Sequence, residues 1–452
     1  MKRILTIAGS DSGGGAGIQA DLKTITLLGG YGMSAITALT AQNTVGVQAI
    51  LELPLDFIEK QIDSVVSDIG VDAVKTGMLS SSAIVSLVAR KIKEYRLRQV
   101  VIDPVMVAKS GAPLLKQEAQ QALREELIPL ALVVTPNLPE ATVLCGFEVG
   151  DPETMKQAAR QIHQMGARNV LIKGGHLKGE IVDILFDSRN FHEFSTPRIP
   201  TKNTHGTGCT FASAIATELA RGNSVPESVR RAKDFMTAAI RFSLALGKGH
   251  GPTNPYAWTA REAERFRVIE SLKEAYETLR HKRIANLIPE VRSNLGYALP
   301  HAEADRDVAA FPGRITRLGH SIATVSGPEF GASRHIARII LTLMRHDPEF
   351  RSAMNIRFSE EMVSACQRAR LRVRSFDRAN EPADVKEREG SSLEWGTEVV
   401  LGEGEIPDVI FDRGDVGKEP MVRVIGRNPE EVARKVLKIQ RYLKDKLLDK
   451  KT

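Results

Sequence analysis

The chain has 452 residues, 42% hydrophobic and 26% charged, which is too long for one ordinary core and typical of a globular protein with two or three domains. Its net charge of +7 is spread, with 27 Lys+Arg against 24 Asp+Glu up to residue 258 and 35 against 31 beyond, so neither half reads as a polyanion binder. No apolar run reaches membrane-spanning length, no secretory signal is seen, and Cys145, Cys209 and Cys366 are too far apart for a metal pair; a cytoplasmic protein without membrane or nucleic-acid partners is expected.

From residue 3 to 200, short apolar segments alternate with helical patterns. RILTIAG, SAITALTAQN, VDAVKTGM, QVVIDPVM, ALVVTPN and NVLIKGG read as strands, and helices are expected at 57–68, 81–94, 116–127 and 153–166. Buried strands separated by amphipathic helices predict an open, mostly parallel α/β sheet with right-handed crossovers. EIVDILFDS and NFHEFSTPRI read as an appended hairpin. Helices at 207–221 and 226–245 follow, and GKGHGPTNPYAW, rich in Gly and Pro, ends the first unit.

Arg261–His281 reads as one helix, with Phe266, Ile269, Leu272, Tyr276 and Leu279 at helical spacing. It is read as the first helix of a second domain or as a connector. Beyond it, EFGASRHIARIILTLMRHD and EEMVSACQRARL are helical, and AMNIRF, VRSF, PDVIFDRGD and PMVRVIGR are strand-like. A last helix starts at Pro429. The basic stretch RARLRVR, Arg368 to Arg374, has no interleaved aromatics to stack on bases and reads as a solvated face. The expected division is 1–258, a connecting helix at 259–284, and a smaller α/β domain at 285–452.

In open α/β sheets, ligands bind beyond the carboxyl ends of the strands. Here those ends carry GSDSGGGAGIQADLKT, QN, KTGM, DPVM, TPNLPE, KGGH and HGTGC. The first loop has five glycines between Gly9 and Gly17, so backbone can approach a ligand, but no Walker A pattern follows. Asp21, one turn past Gly17, is expected to hydrogen-bond substrate. Gln42 ends a strand with a group that both donates and accepts, as a heteroaromatic edge requires. Asp103 and Glu140 at neighbouring strand ends suit Mg2+ held partly through water, and Lys173 suits nucleotide phosphates. Residues 204–209 open a helix whose N-terminal amides favour an anion.

These stretches, together with TALTAQNTVGVQ, DPVMVAKSG, TPNLPEA and KNTHGTGCTFASAIA, closely resemble the hydroxymethylpyrimidine/phosphomethylpyrimidine kinases of the ribokinase-like superfamily, in order from residue 3 to about 255. The resemblance implies ATP- and Mg2+-dependent phosphorylation of 4-amino-5-hydroxymethyl-2-methylpyrimidine, then of its phosphate to the diphosphate. It places Gln42 on the pyrimidine, with Gly9, Asp21, Met78 and Val105 lining the pocket, Asn137 and Glu140 near magnesium, and Gly206, Gly208 and Cys209 in the anion hole; Thr207 and Asn137 are expected to bind ATP phosphates with Lys173. The thiol of Cys209 is expected to have a lowered pKa from the helix terminus.

In the second domain, FPGRITRLGH, SGPEFGASRHIAR and IFDRGDVGKEPMVRVIG stand out. A Gly/Ser turn entering a helix beside arginines is an anion site by backbone geometry, or a capped helix with surface ion pairs. FPGRI, FGASRHIAR, RSAMNIRF and the last stretch resemble the ThiN-type thiamine phosphate synthases over roughly 280–445. That implies joining the pyrimidine diphosphate to hydroxyethylthiazole phosphate, with Arg314 and His335 catalytic. Two other readings stand beside it: a domain that only senses a thiamine precursor, and a kinase acting on a pyridoxal-type alcohol. Ribokinase-like proteins commonly dimerise, so a homo-oligomer is expected by analogy.

Overall fold

The computed structural model describes residues 1–106, 117–177, 179–382, 391–402, 404–415 and 417–449. The DPVMVAKSG segment beyond Met106, Lys178 after KGGH and Val416 in the second domain's last stretch lie outside the described residues. The chain divides into two units, Met1–Thr259 and Ala260–Thr452.

In the first unit the strands are β1 Arg3–Asp11, β2 Tyr31–Gln42, β3 Val47–Glu52, β4 Ala73–Thr76, β5 Val100–Ile102, β6 Val133–Val134, β7 Asn169–Ile172, β8 Ile181–Phe186 and β9 Phe191–Thr196. The helices are α1 Gly17–Leu27, α2 Leu55–Asp68, α3 Ser82–Glu94, α4 Gln117–Ala122, α5 Leu138–Cys145, α6 Pro152–Gln164, α7 Thr207–Ala220 and α8 Val225–Arg241. One nine-stranded sheet runs β3-β2-β1-β4-β5-β6-β7-β8-β9. The strands from β2 to β7 in that order are parallel, and β3, β8 and β9 complete the edges antiparallel.

The apolar runs follow from burial on both faces. Leu5 and Ile7 of β1 enter one core cluster, while Ile4 enters the other, against α7 and α8. Side chains alternate across a strand, so a strand covered on both sides reads as continuously apolar. α7 is buried from Thr210 to Ala220; its Ala and Ser residues let it pack closely between α1 and α8. The helix expected over 116–127 changes character. α4 ends at Ala122, a wider π-turn runs to Leu127, and a 3-10 turn follows at Ile128–Leu130, where Pro129 has no N–H to donate.

The second unit is built around α9 Ala257–His281, which begins just before the division. It then has β10 Leu295–Ala298, β11 Val308–Ala310, β12 Thr316–Leu318, β13 Ser321–Ala323, β14 Glu329–Phe330, α10 Arg334–His346, β15 Ser352–Arg357, α11 Glu360–Arg368, β16 Val373–Ser375, α12 Ser391–Leu401, β17 Val409–Asp412, β18 Met421–Gly426 and α13 Pro429–Asp449. Its main sheet runs β14-β11-β10-β15-β18-β17-β16. Only β16–β17 is parallel; the other pairs are antiparallel. Helices cover both faces, α9, α11 and α13 on one core cluster and α10 and α12 on the other.

Residues 259–284 are not a free connector. Val268, Leu272, Ala275 and Leu279 of α9 are buried in the second unit's core. Of the expected stripe, Leu272 and Leu279 are buried and Ile269 and Tyr276 pack against the same core, while Phe266 is 68% exposed.

Candidate active sites

The carboxyl ends of β1, β2, β4, β5 and β7 meet the start of α7, and the loop between is closely fitted. Gly206 is the N-cap of α7 with φ +82°, a conformation natural to glycine. A side chain there would also overlap Gly15 O. The first helical turn leaves the N–H groups of Thr207, Gly208 and Cys209 without intrahelical acceptors, beside the positive end of the helix dipole.

Opposite that turn lies a compact charged group. Asp103, 2% exposed, accepts from Lys173 Nζ at 2.8 Å and from Thr135 Oγ1 at 3.2 Å. A Cβ on Gly208 would lie 3.1 Å from Asp103 Oδ2 and 3.5 Å from Lys173 Nζ, so a side chain there would press on the Asp103 carboxylate. Glu140 and Asn137 form a capping box at the start of α5: Asn137 Oδ1 accepts from the Glu140 N–H, and Glu140 Oε2 from the Asn137 N–H. Burial pushes the Glu140 carboxyl up, Lys173 pulls it back and Asp103 adds to the rise, leaving it at about 7. Burial opposes the charge of Lys173, but Asp103 and Glu140 outweigh it, so its ammonium is held.

Beside this group is a cavity of about 420 Å³. Lys173, Asn137, Thr207 and Gly208 line it with Pro197, Ile199, Phe211, Met236 and Ile240. An apolar slot next to helix-start amides can take a flat base with its phosphates. Asp183 and Lys233 also line it; Asp183 accepts from Lys233 Nζ at 2.5 Å and from the Gly174 N–H at 2.8 Å.

Two expectations are corrected. Asp21 does not face a ligand: it is fully buried and accepts from Thr6 Oγ1 at 2.6 Å, Lys75 Nζ at 2.9 Å and Ser213 Oγ at 2.7 Å. Its carboxylate is used up by β1, β4 and α7. The Cys209 thiol is not lowered either. Burial pushes it up to about 11; Lys75 acts against the rise, and Asp21 and Asp103 add to it. The loss of water and those carboxylates outweigh Lys75 and the Gly17 N–H.

The remaining residues of this set fall as follows. Gln42 ends β2 beside His205, whose Nε2 is 3.2 Å away. Gly9 lies against Met78, whose Cε a side chain would overlap. Val105 is partly buried, two residues past Asp103.

In the second unit, Arg314 and His335 line the same cavity, of about 600 Å³, with Arg292, Ser333, Lys418 and Arg423. Arg314 has φ +68°, strained for a residue with a side chain, and its Nη1 donates to Val291 O at 2.6 Å. His335 is exposed in the first turn of α10. Behind them, buried Asp412 pairs with Arg378 at 2.7 Å and Arg423 at 2.7 Å. Burial pushes Asp412 up, but the two guanidiniums hold it below the usual carboxylate range. The cavity is strongly cationic and suited to phosphate groups.

Residues 11–254 match the phosphomethylpyrimidine kinase family. The chain belongs to that family. Residues 271–438 match thiamine-phosphate synthase ThiN. The chain is 50% identical over 258 residues to the hydroxymethylpyrimidine/phosphomethylpyrimidine kinase of Bacillus subtilis, covering 57% of this chain and 95% of that one. It is 61% identical over 252 residues to the thiamine biosynthesis bifunctional protein ThiED of Geobacter sulfurreducens, covering 56% of this chain but only 51% of that relative, about half its length. Among solved structures, the Bacillus subtilis pyridoxal kinase in complex with ADP is similar with TM-score 0.55 and 46% identity, over 57% of this chain and 99% of that one. The Staphylococcus aureus pyridoxal kinase with AMP-PCP and pyridoxal gives 0.54 and 38%, over 57% and 94%.

Within the kinase-family unit, sequence reasoning missed Asp11, Lys75, Asp183, Lys233 and His205. Asp11 accepts from the N–H groups of Gly13, Gly15 and Ala16 and folds the glycine loop around itself. Its signal was present: an aspartate before a glycine run favours such a turn. His205 stands inside the HGTGC loop, but its partner Asp11 is 194 positions away, so spacing alone could not pair them.

Proposed function

We propose that the first unit phosphorylates 4-amino-5-hydroxymethyl-2-methylpyrimidine with ATP, and then its phosphate to the diphosphate. The observation that carries this is the meeting of the α7 N-terminus with Asp103 and Lys173 at the mouth of a cavity that fits a nucleotide. Solved relatives bound to ADP and AMP-PCP support the nucleotide. Gln42 would pair with the pyrimidine edge, with Gly9, Met78 and Val105 around the ring. The amides of Thr207, Gly208 and Cys209 hold the moving phosphoryl as charge develops, and Lys173 carries compensating charge.

Asp103 and Glu140 fit Mg2+. They are hard oxygen donors beside the phosphate cradle, and among the described residues no three His, Cys, Asp or Glu form an all-protein cage. Such a site suits an ion that keeps water and takes substrate phosphates. When bound, Mg2+ supplies charge neutralisation of the phosphates.

The second unit would join the pyrimidine diphosphate to hydroxyethylthiazole phosphate, Arg314 neutralising the departing pyrophosphate and His335 donating to it. We also read the protein as cytoplasmic, from its three sparse cysteines; separately, among the described residues no helix is long and apolar enough to cross a membrane. A homo-oligomer belongs to the same reading: β3 ends the sheet with Ile50 and Leu51 exposed, and light scattering would measure it.

The test is direct. The protein, ATP, Mg2+ and the pyrimidine alcohol should yield the mono- and then the diphosphate, and adding thiazole phosphate should yield thiamine phosphate. Kinase product without thiamine phosphate would reduce the second unit to a sensor. The similarity to two pyridoxal kinases favours a second substrate, so pyridoxal belongs in the same assay.

A further inference from the structure

Four polar groups meet at the end of β2, and counting their protons fixes the orientation of Gln42. His205 Nε2 lies 3.0 Å from Asp11 Oδ2 and 3.2 Å from Gln42 Nε2. Thr40 Oγ1 lies 2.8 Å from Ser10 O and 3.2 Å from Gln42 Oε1. Asp11 is an ionised acceptor: burial pushes its carboxyl up, but the His205 bond and the Ala16 and Gly13 amides bring it below its ordinary value. A carboxylate at 3.0 Å requires the imidazole proton to be on Nε2. That nitrogen then has no lone pair for an amide N–H, so the group of Gln42 that faces it must be the oxygen.

The other end of the carboxamide gives the same answer. The Thr40 hydroxyl has one proton, and Ser10 O takes it. Toward Gln42 it can only accept, so the group facing it must be the amide nitrogen. Exchanging nitrogen and oxygen by a half-turn of the amide lets its nitrogen donate to Thr40 Oγ1 and sets its oxygen beside the single Nε2 proton of His205, which it shares with the nearer Asp11 Oδ2.

We propose that the Asp11–His205 pair locks the Gln42 carboxamide with its oxygen toward His205 and its nitrogen toward Thr40, fixing which heteroaromatic edge the site accepts. The reading of Gln42 as the ring contact rests on the kinase function proposed above. The locked amide leaves one N–H and one oxygen lone pair, in a fixed order. An aminopyrimidine edge offers a ring acceptor beside an amino donor, and a 4-oxo edge offers the reverse. A free amide could turn to suit either; the locked one would lose its bond to Thr40 by turning and would set its own N–H against that of His205.

His205 is well held for this role. Its ring is 13% exposed, and a side chain on Gly15 would overlap its Cδ2. Its N–H donates to Gly251 O, and the Thr253 N–H donates to its carbonyl. Asp11 and His205 are therefore positioning residues, acting on substrate through Gln42.

Two measurements test the lock. Nitrogen NMR of the free protein labelled in histidine, with His205→Gln identifying the signal, should show the neutral ring protonated on Nε2. A proton on Nδ1 alone overturns the proposal, whatever the protein phosphorylates. The second measures kcat/KM for the 4-amino alcohol and its 4-oxo analogue. In His205→Phe the amino-to-oxo preference should fall about tenfold or more, mainly through KM, and His205→Gln, which retains an N–H donor, should restore it. Equal losses on both alcohols, with the preference intact, would mean a merely structural histidine and overturn the lock. A wild-type protein that turns over neither alcohol removes the kinase reading, while the ring-nitrogen result still decides the lock.

Discussion

At the head of α7, a carboxylate in place of Cys209 would add a third negative charge beside Asp103 and Asp21 and would face a phosphoryl group. A neutral thiol avoids that repulsion, and burial keeps it neutral by pushing it up to about 11. The phosphorylated substrate already carries an anionic oxygen, so its second phosphorylation needs no base. Alkylation of Cys209 by iodoacetamide, followed by peptide mass spectrometry, should therefore be slow at pH 8 and rise about tenfold per pH unit toward 11; a plateau below pH 9 would contradict this. Cys209→Ser keeps the backbone N–H and should lose less than about tenfold in kcat. Cys209→Asp should lose about a hundredfold or more, and more in the second step than in the first. Asp21 shows why residue roles were only half legible. Its position one turn past Gly17 is plain from spacing, but the donors that consume it come from β4 and α7, 54 and 192 positions away. Asp21→Asn leaves the Lys75 ammonium buried without its partner and should cost about 3–5 kcal/mol, read from chemical unfolding of the first unit.

The elements of the first unit were legible because their burial is two-sided: β5 and β7 carry unbroken apolar runs, and the apolar run of β1 is interrupted only by Thr6. β3 escaped notice for the opposite reason. After Val47 its five residues are exposed, so no buried face marks it. β10, β11, β13 and β14 are two to four residues long and include Gly296 and several alanines, too short and too weakly apolar for a period to emerge. In α9 the helix and most of its apolar stripe were evident, and Phe266 alone falls outside the buried face. The buried positions are Val268, Leu272, Ala275 and Leu279, spaced as one face of a helix demands. Leu272→Ala should lower the stability of the second unit by about 2–5 kcal/mol, while Phe266→Ser should change it by less than about 0.5 kcal/mol. Calorimetry on the full chain distinguishes the two, and a large loss from Phe266→Ser would show that its exposed ring has a partner in solution.

For the whole molecule, each unit has its own sheet, its own pair of core clusters and its own cavity. Each of the four described clusters draws its residues from one unit. The two chemistries are nonetheless linked by a metabolite, because the diphosphate that the first unit would release is what the second would consume. Arg314 and His335 therefore offer a clean separation. Arg314→Ala removes a guanidinium from a cationic cavity, so on the proposed reading a departing pyrophosphate would lose compensating charge as it forms; His335→Ala removes an imidazole from the lining of the same cavity. Each should lower thiamine phosphate formation by about a hundredfold or more and leave the rate of pyrimidine phosphorylation within about twofold. Diphosphate should then accumulate, and supplying wild-type second-unit activity in trans should draw it into thiamine phosphate. A loss of kinase rate in either variant would instead show that the second unit acts on the first, as a sensor would, and that its cavity serves regulation and not synthesis.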